Sequence, residues 1–185
     1  MNTNPERREY RLTLNNVERG IAREEHLVLS RHPLETLEHL ALRLLTFALL
    51  WEERLSFGLG VNASDAPDLS TRDLTGRITT WVAVGDIDAD LARKAVQHNR
   101  DAAIHVVFAD PTRRDAFTAK VASWGQQLPR GWEHLTTWTV EHALVTALAT
   151  HEPLRQRWTV TAVGDHLYVE VDGHAYEGTV KRHAP

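Results

Sequence analysis

The stretch Arg77-Ile-Thr-Thr-Trp-Val-Ala-Val-Gly85, RITTWVAVG, decides the fold class. Ile78, Thr80, Val82 and Val84 alternate with Arg77, Thr79, Trp81 and Ala83, so in an extended chain the two sets point to opposite faces of a sheet. The first set reads as a core face. The second ends in a small residue, Ala83, and the acid-rich Asp86-Ile-Asp-Ala-Asp90 that follows is where the chain should leave the sheet for a helix. Beyond it the pattern predicts a helix over Asp88–Asn99, a buried strand over Ala103–Phe108 and a helix over Pro111–Trp124. Strand and helix in alternation predict an α/β sheet.

Working outward, Tyr10, Leu12 and Leu14 alternate with polar residues and His26–Leu29 repeats a short β pattern, which predicts an N-terminal hairpin. Pro33 precedes an apolar periodic run, Leu34–Trp51, with Glu35 and Glu38 near its start, the signature of a helix that Pro opens and acids stabilise. The polar stretch Gly58–Asp73, with Asn62, Ser64, Pro67 and Ser70, reads as a long loop or a short edge strand, and long loops are often functional. Leu135–Val140 reads as a strand and Glu141–His151 as a helix. Trp158–Val163, Leu167–Val171 and Ala175–Val180 form a meander with turns at Gly164-Asp165 and Asp172-Gly173. The expectation is one domain over residues 1–185, of α+β or α/β class: a mixed sheet flanked by helices, with an N-terminal hairpin and a C-terminal antiparallel meander.

Composition narrows the chemistry. A chain of 185 residues can bury one substantial core without staples, and with no cysteine it has no disulfides, thiolate metal sites or cysteine nucleophile. The start MNTNPERREY has no apolar segment and no later run approaches the roughly 18 apolar residues of a membrane span, so a soluble, cytoplasmic protein is expected. Lys plus Arg number 21 against 25 Asp plus Glu, with signs mixed along the chain, so charge does not favour nucleic acid.

On a helical wheel Glu35, His39, Arg43 and Thr46 share one narrow polar face, whereas Glu38 falls between Leu45 and Leu49 on the apolar arc. A carboxylate facing the core must be paired, protonated or metal-bound, although the ordinary reading is an acid near a helix start that bends to solvent or meets an arginine. Lys94 sits in a helix, where lysines are mostly solvated, and Asp68 and Asp73 are either metal ligands or the commoner turn acids. The histidines show no HExxH spacing; phosphate-loop, dinucleotide and nucleophile-elbow fingerprints are also missing. Six tryptophans spread along the chain suit core packing better than a base-stacking platform.

Taken together, Leu29-Ser-Arg-His-Pro-Leu-Glu-Thr-Leu-Glu38, Arg43-Leu-Leu-Thr-Phe-Ala-Leu49, Glu53-Arg-Leu55, Asp73-Leu-Thr-Gly76, Trp81-Val-Ala-Val-Gly85 and Arg93-Lys-Ala95 resemble the bacterial YaeQ family over most of the chain. The resemblance implies a variant of the restriction-endonuclease-like, PD-(D/E)xK architecture, in which a helix glutamate, a strand aspartate, a second acid and a lysine gather around Mg²⁺. Carried over residue by residue, Glu38 is the helix glutamate and Asp68 the aspartate, with Asp73 second. Ala83 stands where the family pattern has Asp, Gly85 stands where a nuclease would place lysine, and Lys94 is a displaced lysine. One of about three carboxylates is then missing unless Asp86 or Asp88 replaces it, and Mg²⁺ sites rely on few carboxylates to begin with. The expectation is a degenerate metal site in a protein that acts by binding or interaction, not as an enzyme, with no cofactor. The alternative is a nuclease acting on phosphodiesters with Mg²⁺ or Mn²⁺. Partners would be protein or weakly bound nucleic acid held by Arg72, Arg77, Arg93, Arg113 and Arg114, and a small-molecule pocket walled by the Gly58–Asp73 loop is a third class.

Overall fold

The structure, a computed structural model, describes residues 5–58 and 66–184. Strict alternation builds its first half. β1 (Glu6–Asn16) buries Arg8, Tyr10, Leu12, Leu14 and Asn16 and pairs antiparallel with β2 (Ile21–Arg31). The turn between them closes on Gly20 at φ +62°, a left-handed conformation that glycine adopts without a Cβ penalty.

The order along the sheet is β2-β1-β8-β9-β10-β7-β6-β5-β4-β3. β8 (Arg155–Val163) runs parallel to β1, and β9 (His166–Val171) and β10 (His174–His183) continue antiparallel. β10 then changes partner: residues 174–179 pair with β9 and residues 180–183 with β7 (Leu135–Val140). β6 (Ala103–Phe108) and β5 (Ile78–Val84) follow in parallel, and the short β4 (Leu69–Arg72) and β3 (Ser56–Phe57) complete the sheet antiparallel.

This corrects the expected architecture. In place of a helix-flanked open layer with a restriction-endonuclease-like core, ten strands among the described residues form one mixed sheet curled into a nearly closed barrel, accompanied by four α-helices. Helix α1 (Leu37–Leu50) lies inside the curl, and every residue from Leu40 to Leu49 is buried. One core joins it to Tyr10 and Leu12 of β1, Val82 and Val84 of β5, Trp158 and Val160 of β8 and Val169 of β9. The edge strands β2 and β3 border a common cleft lined by Leu27–Ser30 and Leu55–Phe57. The physical reason is α1 itself: a helix apolar around most of its circumference must be surrounded, and a flat layer covers only one side of it.

The remaining helices are α2 (Ala89–His98), α3 (Pro111–Ser123) and α4 (His142–Leu148). α2 and α3 cover the outside of β5 and β6 through a second core of Trp81, Ala83, Ala92, Val96, Phe108 and Phe117. Strands β5 and β6 are therefore buried on both faces, whereas β8 and β9 alternate buried with exposed residues, the two patterns expected of covered parallel and one-sided antiparallel strands.

Several boundaries move. α1 starts at Leu37, capped by Thr36, whose hydroxyl accepts the His39 backbone N–H; Pro33 lies in the preceding turn, and Glu35 stands outside the helix. α4 is shorter than Glu141–His151. Within Gly58–Asp73, β4 is a real strand, whereas residues 59–65, with Asn62 and Ser64, lie outside the described residues. Among the described residues no helix is long and apolar enough to cross a membrane.

Candidate functional site

Residues 35, 39 and 43 are spaced by four, so their side chains stack along one side of α1 and of the turn that leads into it. The Glu35 carboxylate accepts from His39 Nδ1 at 2.9 Å and from an Arg43 guanidinium nitrogen at 2.9 Å. Asp68, just before β4, brings the second acid: its carboxylate accepts the backbone N–H of Val84 at 2.8 Å and lies 3.7 Å from His39 Nε2 and 3.8 Å from Arg43 Nε. Arg43 also donates to the carbonyl of Gly58 at 3.1 Å, and His39 Nε2 lies 3.2 Å from the carbonyl oxygen of Val84. Glu35 and Arg43 are 2% and 3% exposed, so this ionic network is an internal one.

Its two acids are tuned in opposite directions. Burial works to raise the Glu35 carboxyl, but the hydrogen bond from His39 and the charge and hydrogen bond of Arg43 overcome it and hold it below its ordinary value. At Asp68 burial wins: the carboxyl sits above its ordinary value although His39, Arg43 and the Val84 N–H all pull it down. Arg43 thus stands between Glu35 and Asp68 as the cation that compensates both. Glu35 Oε2 and Arg43 Nε are buried and have no hydrogen-bond partner among the described residues.

His39 carries the network to the surface. Its side chain is 18% exposed and lines a cleft of about 300 Å³ together with Glu38, Gly85, Asp86, Asp110 and Arg113. The cleft lies beyond the carboxyl ends of the parallel strands β5 and β6. Gly85 has φ +96°, and a Cβ there would approach His39 Cδ2 to 3.2 Å, so glycine is what lets the imidazole lie against the strand end.

Glu38 is exposed and accepts a hydrogen bond from the Thr146 hydroxyl at 3.1 Å, so it stands on the cleft rim and outside the Glu35 network; its expected place on the buried arc is corrected. Asp68 lies within the network, and Glu35 is the carboxylate beside it. Asp73 caps its own turn, accepting from Thr75 and from the Arg77 N–H. Lys94 is exposed on α2, a helix packed on the opposite side of β5 from α1. Ala83 also points to that side, so an acid there would face Ala92 and Val96 and would not join Glu35. Asp86 pairs with Arg113 at 3.3 Å, and Asp88 caps α2. Among the described residues no three His, Asp or Glu side chains converge on a metal position. Glu35, His39 and Arg43 went unselected in the sequence although the wheel placed all three on one stripe; a polar stripe on an otherwise apolar helix was the available signal.

A family model described as "YaeQ protein" matches residues 1–180. Among individual relatives, the chain is 37% identical over 78 residues to an uncharacterized YaeQ protein of Salmonella typhi (42% of this chain, 43% of that one). It is 33% identical over 97 residues to an uncharacterized YaeQ protein of Escherichia coli K12 (51% and 54%). These alignments span about half the length of each relative. The crystal structure of a YaeQ protein from Xanthomonas axonopodis pv. citri superposes with a TM-score of 0.86 at 27% identity, covering 98% of this chain and 99% of the other. That of a YaeQ protein from Pseudomonas syringae superposes with a TM-score of 0.84 at 24% identity, covering 98% and 97%, a likeness of fold. With the family model spanning nearly the whole sequence and the same fold present in solved members, the chain belongs to the YaeQ family.

Proposed function

We propose that this protein acts by binding, through the cleft that His39 lines, and not by metal-dependent cleavage of phosphodiesters. The observation that carries this reading is Arg43, whose guanidinium stands between Glu35 and Asp68. Mg²⁺ is bound through one or two carboxylates plus waters and substrate oxygens, and here the two buried carboxylates already serve a fixed internal cation and a backbone N–H. The rim acids are engaged as well: Glu38 with Thr146, Asp86 with Arg113 and Asp110 with Thr112 at the start of α3. The site is degenerate in this sense, its negative charge being neutralised from within the protein. A cleft of about 300 Å³ that joins apolar Leu42, Ala109 and Val145 to His39, His142, Arg113, Glu38, Asp86 and Asp110 suits a small ligand that combines an apolar part with polar donors and acceptors.

Calorimetry with Mg²⁺ and Mn²⁺, together with cleavage assays on single- and double-stranded DNA and RNA, tests the negative half. Neither metal uptake nor cleavage is expected, and a wild-type cleavage activity abolished by Glu38→Ala or Asp68→Asn overturns the reading. The positive half is tested by following the His39 ring resonances by NMR during a screen of small polar fragments. Fragments that bind elsewhere and leave those resonances still would remove the cleft as the working surface.

A further inference from the structure

The parallel strands β5, β6 and β7 have a second end, opposite to the His39 cleft, and it is built from different chemistry. Arg77 immediately precedes β5, His98 closes α2, Arg100 lies just before β6, and Arg130 and His134 lead into β7. All five side chains line one open basin of about 590 Å³. Its two acids are already occupied: Asp101 pairs with Arg77, while Glu133 accepts the Gly131 N–H at 3.1 Å and lies 3.9 Å from His134. No acid among the described residues pairs with Arg100 or Arg130.

The backbone fixes this arrangement. Gly131 has φ +93°, and a Cβ there would lie 2.7 Å from the Arg100 carbonyl oxygen, so the turn before β7 packs directly on the turn before β6 and sets Arg130 beside Arg100. The negative end of α2 also points here, and Asn99 donates its backbone and side-chain N–H to the Ala95 carbonyl, one of the carbonyls of the last turn. With three guanidinium groups against two carboxylates, the lining is formally net positive in a protein of net charge −4.

We propose that this basin is an anion site that takes phosphoryl groups carried in series, as in an oligophosphate chain or a nucleic-acid backbone. Guanidinium is planar and offers paired donors that match phosphate oxygens, which favours phosphate over a monoatomic anion. Trp, Tyr, Phe and aliphatic side chains are missing from the lining, so the ligand is read through its charge and not through a stacked base. The site is independent of the His39 cleft, with which it shares no residue.

Tripolyphosphate and a single-stranded oligonucleotide, each titrated by calorimetry into the wild-type protein and into Arg100→Glu/Arg130→Glu at low and high salt, test the proposal. Wild-type binding of at least one probe is expected, falling at least tenfold in the double variant and weakening with salt, while the thermal unfolding midpoint stays in place because both side chains are exposed. Preference for tripolyphosphate identifies a free oligophosphate as the source; a tighter oligonucleotide complex with a steeper salt slope identifies the nucleic-acid backbone. If the wild type binds neither probe, or the double variant binds as tightly as the wild type, the proposal is wrong. Arg100→Gln/Arg130→Gln, which removes charge without reversing it, must show an intermediate loss; an unchanged affinity in that variant also overturns it.

Discussion

The two faces of β5 belong to two separate cores of opposite character. Val82 and Val84 look inward at α1, where apolar packing surrounds a buried ionic network of Glu35, His39, Arg43 and Asp68. Trp81 and Ala83 look outward at α2 and α3, into a core of Ala89, Ala92, Val96, Ile104 and Phe117. One strand thus serves two solvents. The inner face tolerates charge because every ion there has a counter-ion or a backbone donor, and the outer face offers neither.

The largest effect should come from moving charge to the dry face. Ala83→Asp sets an unpaired carboxylate where exposure is 2%, and a loss of about 4–5 kcal/mol is expected from urea unfolding. If that variant keeps wild-type stability, the outer face is wetter than its packing indicates. Next comes the breaking of the inner network. Arg43→Met leaves Glu35 and Asp68 without their shared cation and should cost about 3–4 kcal/mol, while Glu35→Leu/Arg43→Met should recover part of that loss, since a buried pair exchanged for apolar side chains is often neutral and only Asp68 then stays without the cation. A double variant as unstable as the single one would show that the network holds α1 through Gly58 and the strand ends, not through charge balance.

Acid sharpens the same contrast within the inner face. Glu35, held low, contributes stability that is present above its unfolded value and lost as pH falls; Asp68, held high, has the opposite sign, its burial cost being relieved as pH falls, so the two partly cancel. At His105, on the inner side of β6, burial outweighs the opposing pull of Glu52. Burial, aided by Arg182, lowers its pKa from 6.5 to about 4, and Trp138 donates its indole N–H to His105 Nδ1, which suits the neutral ring. The unfolded chain takes up a proton below pH 6.5 that the folded chain refuses until pH 4, so stability should fall by about 3 kcal/mol over that window. Urea midpoints at several pH values for wild type and His105→Phe check it: the variant should show a flatter dependence, and equal slopes would refute the assignment. The smallest effect expected is at the N-terminus of α1, where Thr36→Ala removes the cap on the His39 N–H and should cost about 1 kcal/mol in the same assay.

The order of strands and helices was legible in local pattern. Alternation at Tyr10, Leu12 and Leu14 marked β1, Ala103–Phe108 matched β6, and the turns at Gly164-Asp165 and Asp172-Gly173 bounded the last three strands. Such features depend on neighbours a few residues apart, and local sterics and burial suffice to set them. The polar stripe of Glu35, His39 and Arg43 was legible too, but its direction was not. A wheel fixes angles around a helix axis without saying what surrounds the axis, and because the sheet curls round α1, the stripe points inward while Glu38 meets solvent.

What the sequence by itself determined is the list of elements and the chemistry each can offer, because period, capping and turn residues act within a few positions of one another. The tertiary structure alone decided that β1 lies against β8, that β10 leaves β9 for β7, and that both faces of β5 are covered. Those choices depend on burying α1 on all sides at once, a requirement spread over contacts between residues more than 140 positions apart, such as Tyr10 with Trp158, and they decide which carboxylate sits in the network and which only borders it.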